Sequence, residues 1–436
     1  MASCFSSQHL IHSVRRNFCG VGEKFIASPR VRTKLWSSSR FCSASNLKEH
    51  SELSVCSESV SSDSTCVAAP QRNLRVSSDI GKASTTCSPM DSLNVKSDIA
   101  ADSMNNRVML IDGTSIIYRS YYKLLAKLHH GHLEHADGNG DWVLTIFTAL
   151  SFLLDMLEFV PSHVAVVFDH DGVPFGPTTT KQSKECYMAK GLTFRHMIYP
   201  SYKSNRPPTP DTVVQGLQYL KASIKAMSIK VIEVPGVEAD DVIGTMAVNY
   251  VSSGFKVRVV SPDKDFFQIL SPSLRLLRIA TRGSGMASFG LEDFAKKFGE
   301  LRPTQFVDFI ALAGDHVDNI PGVEGIGEVH ALKLITKFGS VENLLHCVDQ
   351  VEEERIRKAI MLNGDQALLC KNLATLRSDL PPYMVPFKTS DLVFRKPEDG
   401  GEKLISLLRA IGAYAEGFSA DPILRRALFL WNKLQS

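Results

Sequence analysis

Three apolar, valine-rich runs of this chain each lead into an aspartate, and this pattern constrains the fold more than any other feature. The three residues are Asp112, Asp169 and Asp263. Apolar runs of this length are typical of strands that are buried on both faces of a parallel sheet. Because ligands bind at the carboxyl ends of the strands in such sheets, we expect the three carboxylates to line one ligand site.

Further acidic residues follow in short motifs along the chain. The complete set of acidic candidates is Asp112, Asp169, Glu238, Asp240, Asp241, Asp263, Asp265, Asp315 and Asp318. Carboxylates gathered in one place repel each other, so a cluster of this size requires cations to neutralise it. Oxygen ligands without His or Cys favour Mg²⁺ or Mn²⁺ over zinc. The acidic residues therefore predict a divalent-cation site.

Each acid also has an ordinary structural explanation. An Asp at the end of a strand often caps the next helix, a contribution of about 1 kcal/mol. However, Glu238, Asp240 and Asp241 crowd one predicted helix start. Asp263 and Asp265 crowd a second one. Because one helix start needs only one cap, capping does not explain the whole set.

The first 47 residues have the composition of an organellar transit peptide. They contain ten Ser, seven Lys or Arg and a single acid, Glu23. Leaders of this composition direct import into a chloroplast or mitochondrion, and a disordered regulatory tail is the alternative. Residues 48–103 remain Ser-rich, and we interpret them as a disordered linker. No apolar run reaches the roughly 20 residues needed to span a bilayer, so we expect no membrane partner.

From about Met104 onward, predicted strands and helices alternate. Strands are predicted at residues 107–111, 163–168, 229–234, 255–261 and 274–279, and helices begin near residues 114, 143 and 237. This alternation predicts a three-layer α/β domain with a mostly parallel sheet.

After Gly290 the chain has helical spacing only. Helices are predicted at residues 291–299, 304–313 and 328–338. Gly322, Gly325 and Gly327 precede the last of these helices, and they permit a tight hairpin whose backbone N–H groups face a phosphate. An ordinary helix-to-helix turn is the alternative, since glycine is common in turns of every kind. Residues 385–436 form a small helical extension whose role the sequence does not show.

These motifs occur in the order found in the 5′ nuclease family. Over residues 107–340 the chain resembles the 5′-to-3′ exonuclease domain of bacterial DNA polymerase I and its flap endonuclease relatives. The matching motifs are Asp112-Gly113, Phe194-Arg195-His196, residues 199–208, Glu238-Ala-Asp-Asp241, Asp263-Lys-Asp265 and residues 314–327. The polymerase and proofreading domains have no counterpart, so we expect a stand-alone nuclease.

The resemblance implies a PIN-like three-layer α/β catalytic domain at residues 104–290. An all-helical, H3TH-like helix-hairpin-helix domain is implied at residues 291–384, and the extension at 385–436 follows it. The nine acids are implied to hold two Mg²⁺ or Mn²⁺ ions, either directly or through water. Two ions about 3.5 to 4 Å apart activate water and stabilise the leaving oxygen in phosphodiester hydrolysis.

A basic segment lies between the second and third predicted strands. Residues 173–208 contain Lys181, Lys184, Lys190, Arg195, Lys203 and Arg206 against one acid, Glu185. A solvated loop is one explanation of such a run. The resemblance instead implies a gateway for a single-stranded 5′ end, with Lys203, Arg206 and Arg195 as catalytic residues that neutralise the scissile phosphate. Tyr202 is then expected to stack on a terminal base, and Arg119 to contact the same phosphates.

One segment departs from the family's pattern. Residues 176–190 enlarge the link that precedes Phe194, and they border the expected gateway, which leaves the substrate preference open. The resulting hypothesis is a Mg²⁺-dependent 5′-to-3′ exonuclease or flap endonuclease that acts as a monomer in organellar DNA replication or repair. Its expected partners are DNA with 5′ ends, flaps or nicks, and RNA primers. An RNA-processing nuclease and a non-catalytic nucleic-acid-binding protein are the alternatives.

Overall fold

A six-stranded sheet in the order β3-β2-β1-β4-β5-β6 lies at the centre of the first half of the protein. The computed structural model describes residues 106–130, 140–170, 193–279, 286–415 and 417–435. The strands are β1 (Arg107–Asp112), β2 (His163–Phe168), β3 (Lys230–Glu233), β4 (Lys256–Val260), β5 (Leu274–Ile279) and β6 (Met286–Phe289). The first five run parallel, and β6 is antiparallel to β5. The predicted mostly parallel sheet is therefore confirmed.

The edge strand β6 is the strand that the sequence pattern did not predict. It has only four residues, Met-Ala-Ser-Phe, and it pairs with β5 so that Leu276 lies opposite Phe289. A strand this short lacks the apolar run from which the other strands were predicted. The sequence therefore predicted five strands, the last at residues 274–279, and missed the sixth.

Five helices connect and cover the first strands. They are α1 (Gly113–His129), α2 (Asp141–Leu157), α3 (Phe194–Ile198), α4 (Asp211–Ala226) and α5 (Ala239–Ser252). The starts of α1, α2 and α5 lie within two residues of the predicted ones. Helices α3 and α4 lie in the basic segment and its continuation, where no helix was predicted.

Both faces of the sheet are buried, because successive side chains of β1 enter different apolar cores. Val108 and Leu110 belong to one core together with α5. Met109 and Ile111 belong to the other, together with α1, α2 and α4. A parallel sheet with helices on both faces is a three-layer arrangement, as predicted.

Helices alone follow β6 in the described part of the chain. The α-helices among them are α6 (Leu291–Phe298), α7 (Phe306–Ala313), α8 (Glu328–Phe338), α9 (Val341–His346), α10 (Glu354–Leu362), α11 (Gly364–Ala374), α12 (Glu402–Gly412) and α13 (Asp421–Gln435). The first apolar core continues into them. Phe267, in the segment between β4 and β5, stacks on Phe289 and contacts the rings of Phe294 and Phe306 edge-on. The helical half therefore shares one core with the sheet.

The C-terminal extension packs on the opposite side of the sheet. Leu404, Leu408 and Trp431 are fully buried in the second core, the one that contains α2. Arg426 also pairs with Asp155 at the end of α2. The extension therefore has a structural role that the sequence did not reveal.

Several expectations concern residues outside the described ranges. These are the transit peptide at 1–47, the linker at 48–103 and the insertion at 176–190 with its three lysines. The domain boundaries at 290 and 384 and the monomeric state remain predictions. Among the described residues, no helix has both the length and the apolar character needed to span a bilayer.

Candidate active site

Four neighbouring strands bring carboxylates to one edge of the sheet. Asp112 is the last residue of β1, and Asp169 directly follows β2. The chain after β3 leads to Glu238, which is the N-cap of α5. Asp263 follows β4 by three residues. Because β3, β2, β1 and β4 are consecutive in the sheet, all four carboxylates lie at its carboxyl edge, as predicted.

Asp112 both caps a helix and belongs to the acidic cluster. One carboxylate oxygen accepts a hydrogen bond from Ser115 N at 2.9 Å in the first turn of α1, and the other accepts from Ser261 Oγ at 2.9 Å. Burial raises the pKa of Asp112 to about 6, and the negative charge of Asp169 acts in the same direction. Asp112 therefore caps α1, which was the alternative explanation from the sequence, and it also lies near a second carboxylate, that of Asp169.

Asp240 lies at the centre of the cluster. Burial raises its pKa well above the ordinary value, and the charges of Asp112 and Asp263 raise it further. Its Oδ1 atom is buried and has no hydrogen-bond partner. The neighbouring Asp169 instead uses its Oδ1 to accept a hydrogen bond from Ala239 N at 2.8 Å. Asp240 therefore keeps one oxygen available for a further ligand.

A second group of acids forms beside the first. Asp263 Oδ1 accepts a hydrogen bond from Asp265 N at 2.9 Å. Burial raises the pKa of Asp265 well above its usual range, and the charges of Asp263, Asp318 and Asp315 add to this effect. Asp315 and Asp318 are buried in the loop between α7 and α8. The helical half therefore contributes two carboxylates to the site, as predicted.

The donor set fits a hard divalent cation. Among the described residues, no three His, Cys, Asp or Glu side chains are already arranged as ligands of one ion. Lys203 and Lys264 lie between the acids, 2.8 Å from Glu238 Oε2 and 3.2 Å from Asp315 Oδ2. Mutual repulsion among the acids favours these lysine contacts. All donors are oxygen atoms, and the partnerless oxygen of Asp240 is the strongest sign of a site for Mg²⁺ or Mn²⁺.

The basic loop at residues 199–206 is held against the acids. Lys203 contacts Glu238 and lies 3.6 Å from Asp318 Oδ2, and Arg206 forms an ion pair with Asp318. Burial opposes the ionisation of Glu238, but the positive charges of Lys203 and Arg195 prevail and lower its pKa to about 2. Lys203 and Arg206 therefore lie in the predicted site.

Tyr202 is placed differently from the prediction. Its side chain is only 3% exposed. Its hydroxyl donates to Asp318 Oδ2 at 3.1 Å and, more weakly, to Glu238 Oε2 at 3.3 Å. A ring buried in this way offers no face to a nucleic-acid base, so the expected base stacking is not supported. Tyr202 instead holds two acids of the cluster.

Arg195 and Asp241 also depart from their predicted roles. The guanidinium of Arg195 donates to both oxygens of Asp241, at 2.7 and 2.8 Å. Arg195 is 4% exposed and Asp241 is 1% exposed. Because each group is buried and satisfied by the other, Arg195 does not face a phosphate and Asp241 does not face a cation. The structure therefore does not support the predicted catalytic role of Arg195 or the predicted metal-ligand role of Asp241.

The three glycines of the hairpin have different environments. Gly322 is buried with φ +68°, and a Cβ atom there would lie 2.5 Å from Gly314 N. Backbone packing alone therefore requires a glycine here, and its predicted DNA contact is not supported. Gly325 and Gly327 are exposed, and a Cβ atom on Gly327 would meet nothing within 4 Å. These two remain open to a ligand.

Arg119 lies on α1 with its guanidinium over the ring of Phe152 in α2, 5.5 Å from the ring centroid. Burial lowers the pKa of Arg119. The side chain therefore lies against Phe152 of the second apolar core. Its predicted contact with phosphates remains a prediction.

Two hydroxyl residues of the site were not found from the sequence. Ser261 donates to Asp112, and Thr193 Oγ1 donates to Glu238 Oε1 at 3.1 Å. Ser261 stands two residues before Asp263, and Thr193 stands two residues before Arg195, so proximity to a motif was the only available signal.

Two family models match consecutive parts of the chain. The model for the 5′-3′ exonuclease N-terminal resolvase-like domain matches residues 177–299. The model for the 5′-3′ exonuclease C-terminal SAM fold matches residues 301–400. Asp112 and Asp169 precede the matched ranges, whereas the other seven predicted acids lie within them.

Curated relatives extend the similarity. DNA polymerase I of Bacillus caldotenax is 32% identical over 310 residues, which are 71% of this chain and 32% of the relative. The thermostable DNA polymerase I of Thermus filiformis is 36% identical over 275 residues, 63% of this chain and 29% of the relative. The chain thus spans about a third of the length of these relatives.

Solved structures show a weaker likeness. The T5 D15 protein co-crystallised with metal ions is 20% identical, with a TM-score of 0.46, and the match covers 71% of this chain and all of the T5 protein. The catalytic core of Rad2 in complex with DNA substrate is 15% identical, with a TM-score of 0.46, and the match covers 75% of this chain and 92% of the Rad2 core.

Proposed function

The chain belongs to the 5′-3′ exonuclease family, and we propose that it is a divalent-metal-dependent nuclease that hydrolyses DNA at 5′ ends and flaps. The observation that carries this proposal is the gathering of acids around Asp240, one of whose oxygens is buried without a partner. A protein that only binds nucleic acid would gain nothing from this arrangement, because burying like charges destabilises the folded state.

The acids that raise the pKa of Asp240 and those that raise the pKa of Asp265 form two overlapping groups, and each group would hold one ion. The first comprises Asp112, Asp169, Asp240 and Asp263, and the second comprises Asp263, Asp265, Asp315 and Asp318. Glu238 is the N-cap of α5 and precedes Asp240 by two residues, so its carboxylate would contribute to the first group. Bound divalent ions supply Lewis acidity that activates water and stabilises the leaving oxygen.

The remaining side chains have roles in binding and orientation. Lys203 and Arg206 lie beside Glu238 and Asp318, and in the proposed reaction they neutralise charge that develops on the phosphate. Ser261 keeps Asp112 turned toward the cluster, and both oxygens of Asp112 are fixed by hydrogen bonds. No covalent nucleophile from the protein is required.

The start of α8 is the proposed contact with the duplex backbone. Gly325 and Gly327 are exposed there, and the first backbone N–H groups of an eleven-residue helix follow them. Arg355 adds positive charge, since its guanidinium donates to Gly325 O at 3.2 Å. Such contacts hold phosphates without reading the base sequence. The proposed substrates are DNA with 5′ ends, flaps or nicks, and RNA primers annealed to DNA.

The proposed cellular setting is DNA replication or repair in a chloroplast or mitochondrion. It is supported by the composition of residues 1–47, which are rich in Ser and basic residues and contain one acid. A fluorescent protein carrying these residues at its N-terminus is expected to enter an organelle. A fusion that stays in the cytosol would contradict the setting without affecting the proposed chemistry.

Product lengths from several substrates test the proposed activity. The full chain is incubated with Mg²⁺ and 5′-labelled flap, nicked and single-stranded DNA, and with an RNA flap of the same sequence. We expect cleavage of DNA, with mononucleotides indicating exonuclease action and flap-length products indicating endonuclease action. Preferential cleavage of the RNA flap would favour transcript processing. Binding of these substrates without any cleavage would overturn the proposal.

A further inference from the structure

Arg195 connects three segments of the chain through one buried guanidinium. Two of its nitrogens donate to Asp241, in the first turn of α5. Its Nε donates to Leu373 O at 2.9 Å, and Nη2 also donates to Thr375 O at 2.7 Å. Leu373 and Thr375 lie at the C-terminal end of α11, in the helical half. The contact therefore joins the start of α5 to the end of α11.

The same contact reaches the acidic cluster. Arg195 Nη1 lies 3.5 Å from Glu238 Oε2. Thr193, two residues earlier, donates to the other oxygen of Glu238. Asp241 Oδ1 additionally accepts a hydrogen bond from Arg377 N at 2.9 Å, just beyond α11. Asp241 is thus held from two directions, and Glu238 and Asp240 precede it in the chain by three residues and one residue.

We propose that Arg195 and Asp241 form a positioning pair, through which the end of α11 sets the carboxylates at the start of α5. This inference rests on the proposed nuclease function. Helix α11 belongs to the half that would hold duplex DNA. The pair therefore makes the positions of the Glu238 and Asp240 carboxylates depend on the position of that half. The alternative is an ion pair that contributes to folding alone.

A double variant separates positioning from folding. Arg195→Gln with Asp241→Asn removes both charges together, so that neither partner is left as an unpaired buried charge, and Glu238 keeps its ion pair with Lys203. We expect kcat on a 5′-flap DNA to fall about 10- to 100-fold, the range seen when residues that orient metal ligands are replaced. The KM for the DNA is expected to remain at the value of the parent protein. A kcat equal to that of the parent would overturn the proposal.

Two further variants complete the comparison. Arg195→Lys keeps the positive charge but loses the bidentate contact with Asp241. If the double variant does not fold, this variant is used to test the proposal. We expect it to show the same loss of kcat, and full recovery of kcat by Lys would overturn the proposal. Arg426→Gln is the matched control, because it removes an arginine that pairs with Asp155 and contacts none of the site residues. Its kcat is expected to match that of the parent.

Hydrogen exchange provides a readout that does not depend on cleavage. In the double variant and in Arg195→Lys, we expect backbone amides at residues 239–242 and 373–377 to exchange faster together, while those of β1 stay protected. Faster exchange in only one of these segments, or in neither, would overturn the coupling. If the parent protein cleaves no DNA, the proposed function fails and this exchange measurement alone decides the coupling.

Discussion

Single acidic residues of this protein serve the fold and the site together. Asp112 caps α1 through Ser115, and Asp169 accepts a hydrogen bond from the first residue of α5. A carboxylate has two oxygens with about four lone-pair sites, so one bond to a helix start leaves capacity for a cation. Capping and metal binding are therefore compatible at the same residue. Helix capping and cation binding, which the sequence presented as alternative explanations of these acids, do not exclude each other.

Tyr202→Phe tests the buried role of this tyrosine. The substitution keeps the ring but removes the hydroxyl that donates to Glu238 and Asp318. We expect the free energy of unfolding to fall by about 2 kcal/mol, because hydrogen bonds to charged groups contribute roughly 1.5 to 3 kcal/mol. Urea denaturation measures the change, and the Kd for single-stranded DNA is expected to stay constant. Unchanged stability combined with weaker DNA binding by Tyr202→Leu would support base stacking instead.

At the scale of loops and helices, two loops hold the basic side chains of Lys203 and Arg206 against the acids. The backbone N–H of Lys203 donates to Asp318 O at 3.0 Å, and Asn319 Nδ2 donates to Ser201 O at 2.7 Å. Lys203 and Asn319 both adopt positive φ, at 54° and 56°. The loop at 199–206 from the α/β half and the loop at 315–320 from the helical half thus hold each other. Their mutual contact brings Lys203 to Asp318.

Gly322→Ala and Gly327→Ala form a matched pair within one hairpin. At Gly322 the positive φ and the backbone of Gly314 leave no room for a Cβ atom, so we expect a loss of about 2 kcal/mol or more in the free energy of unfolding. At Gly327 the backbone has φ −93° and open space, so we expect a change below about 0.5 kcal/mol. Thermal and urea unfolding measure both variants. Equal destabilisation by the two substitutions would contradict the assigned environments.

The sequence predicted those features of the site that depend on strand order and residue type. An acid that follows a buried strand lies at the sheet edge in any fold of this class, which is why Asp112, Asp169 and Asp263 were placed correctly. The sequence did not predict that Arg195 and Asp241 pair with each other, because a buried ion pair and a catalytic pair use the same residue types. Which groups pair is decided by tertiary packing over long sequence distances.

For the whole molecule, the two apolar cores explain why distant segments act as one structure. The first core joins one face of the sheet to helices as far as α11, and the second joins the other face to α12 and α13. Since β1 contributes to both cores, each core supports the strand on which Asp112 lies. The C-terminal extension is thus part of the scaffold of the site.

Trp431→Ala and Phe429→Ala test this role on a single helix. Trp431 is 1% exposed in the second core, and its truncation is expected to cost about 3 to 5 kcal/mol. Phe429 is 73% exposed, so its truncation is expected to change stability by less than about 0.5 kcal/mol. Calorimetry measures the unfolding of both. Loss of α13 without any change in the unfolding of the sheet would contradict a shared core.

In the proposed reaction, the acids around Asp240 bind the divalent cations on which DNA cleavage depends. The most direct test is the initial rate of 5′-flap cleavage by the full chain and by Asp240→Asn, titrated with Mg²⁺ from a solution that contains excess chelator. We expect no cleavage in chelator, a saturable rise with Mg²⁺ for the parent protein, and a rate at least about 100-fold lower for Asp240→Asn at every Mg²⁺ concentration. Cleavage that persists in chelator, or an Asp240→Asn curve that coincides with that of the parent, would contradict the claim.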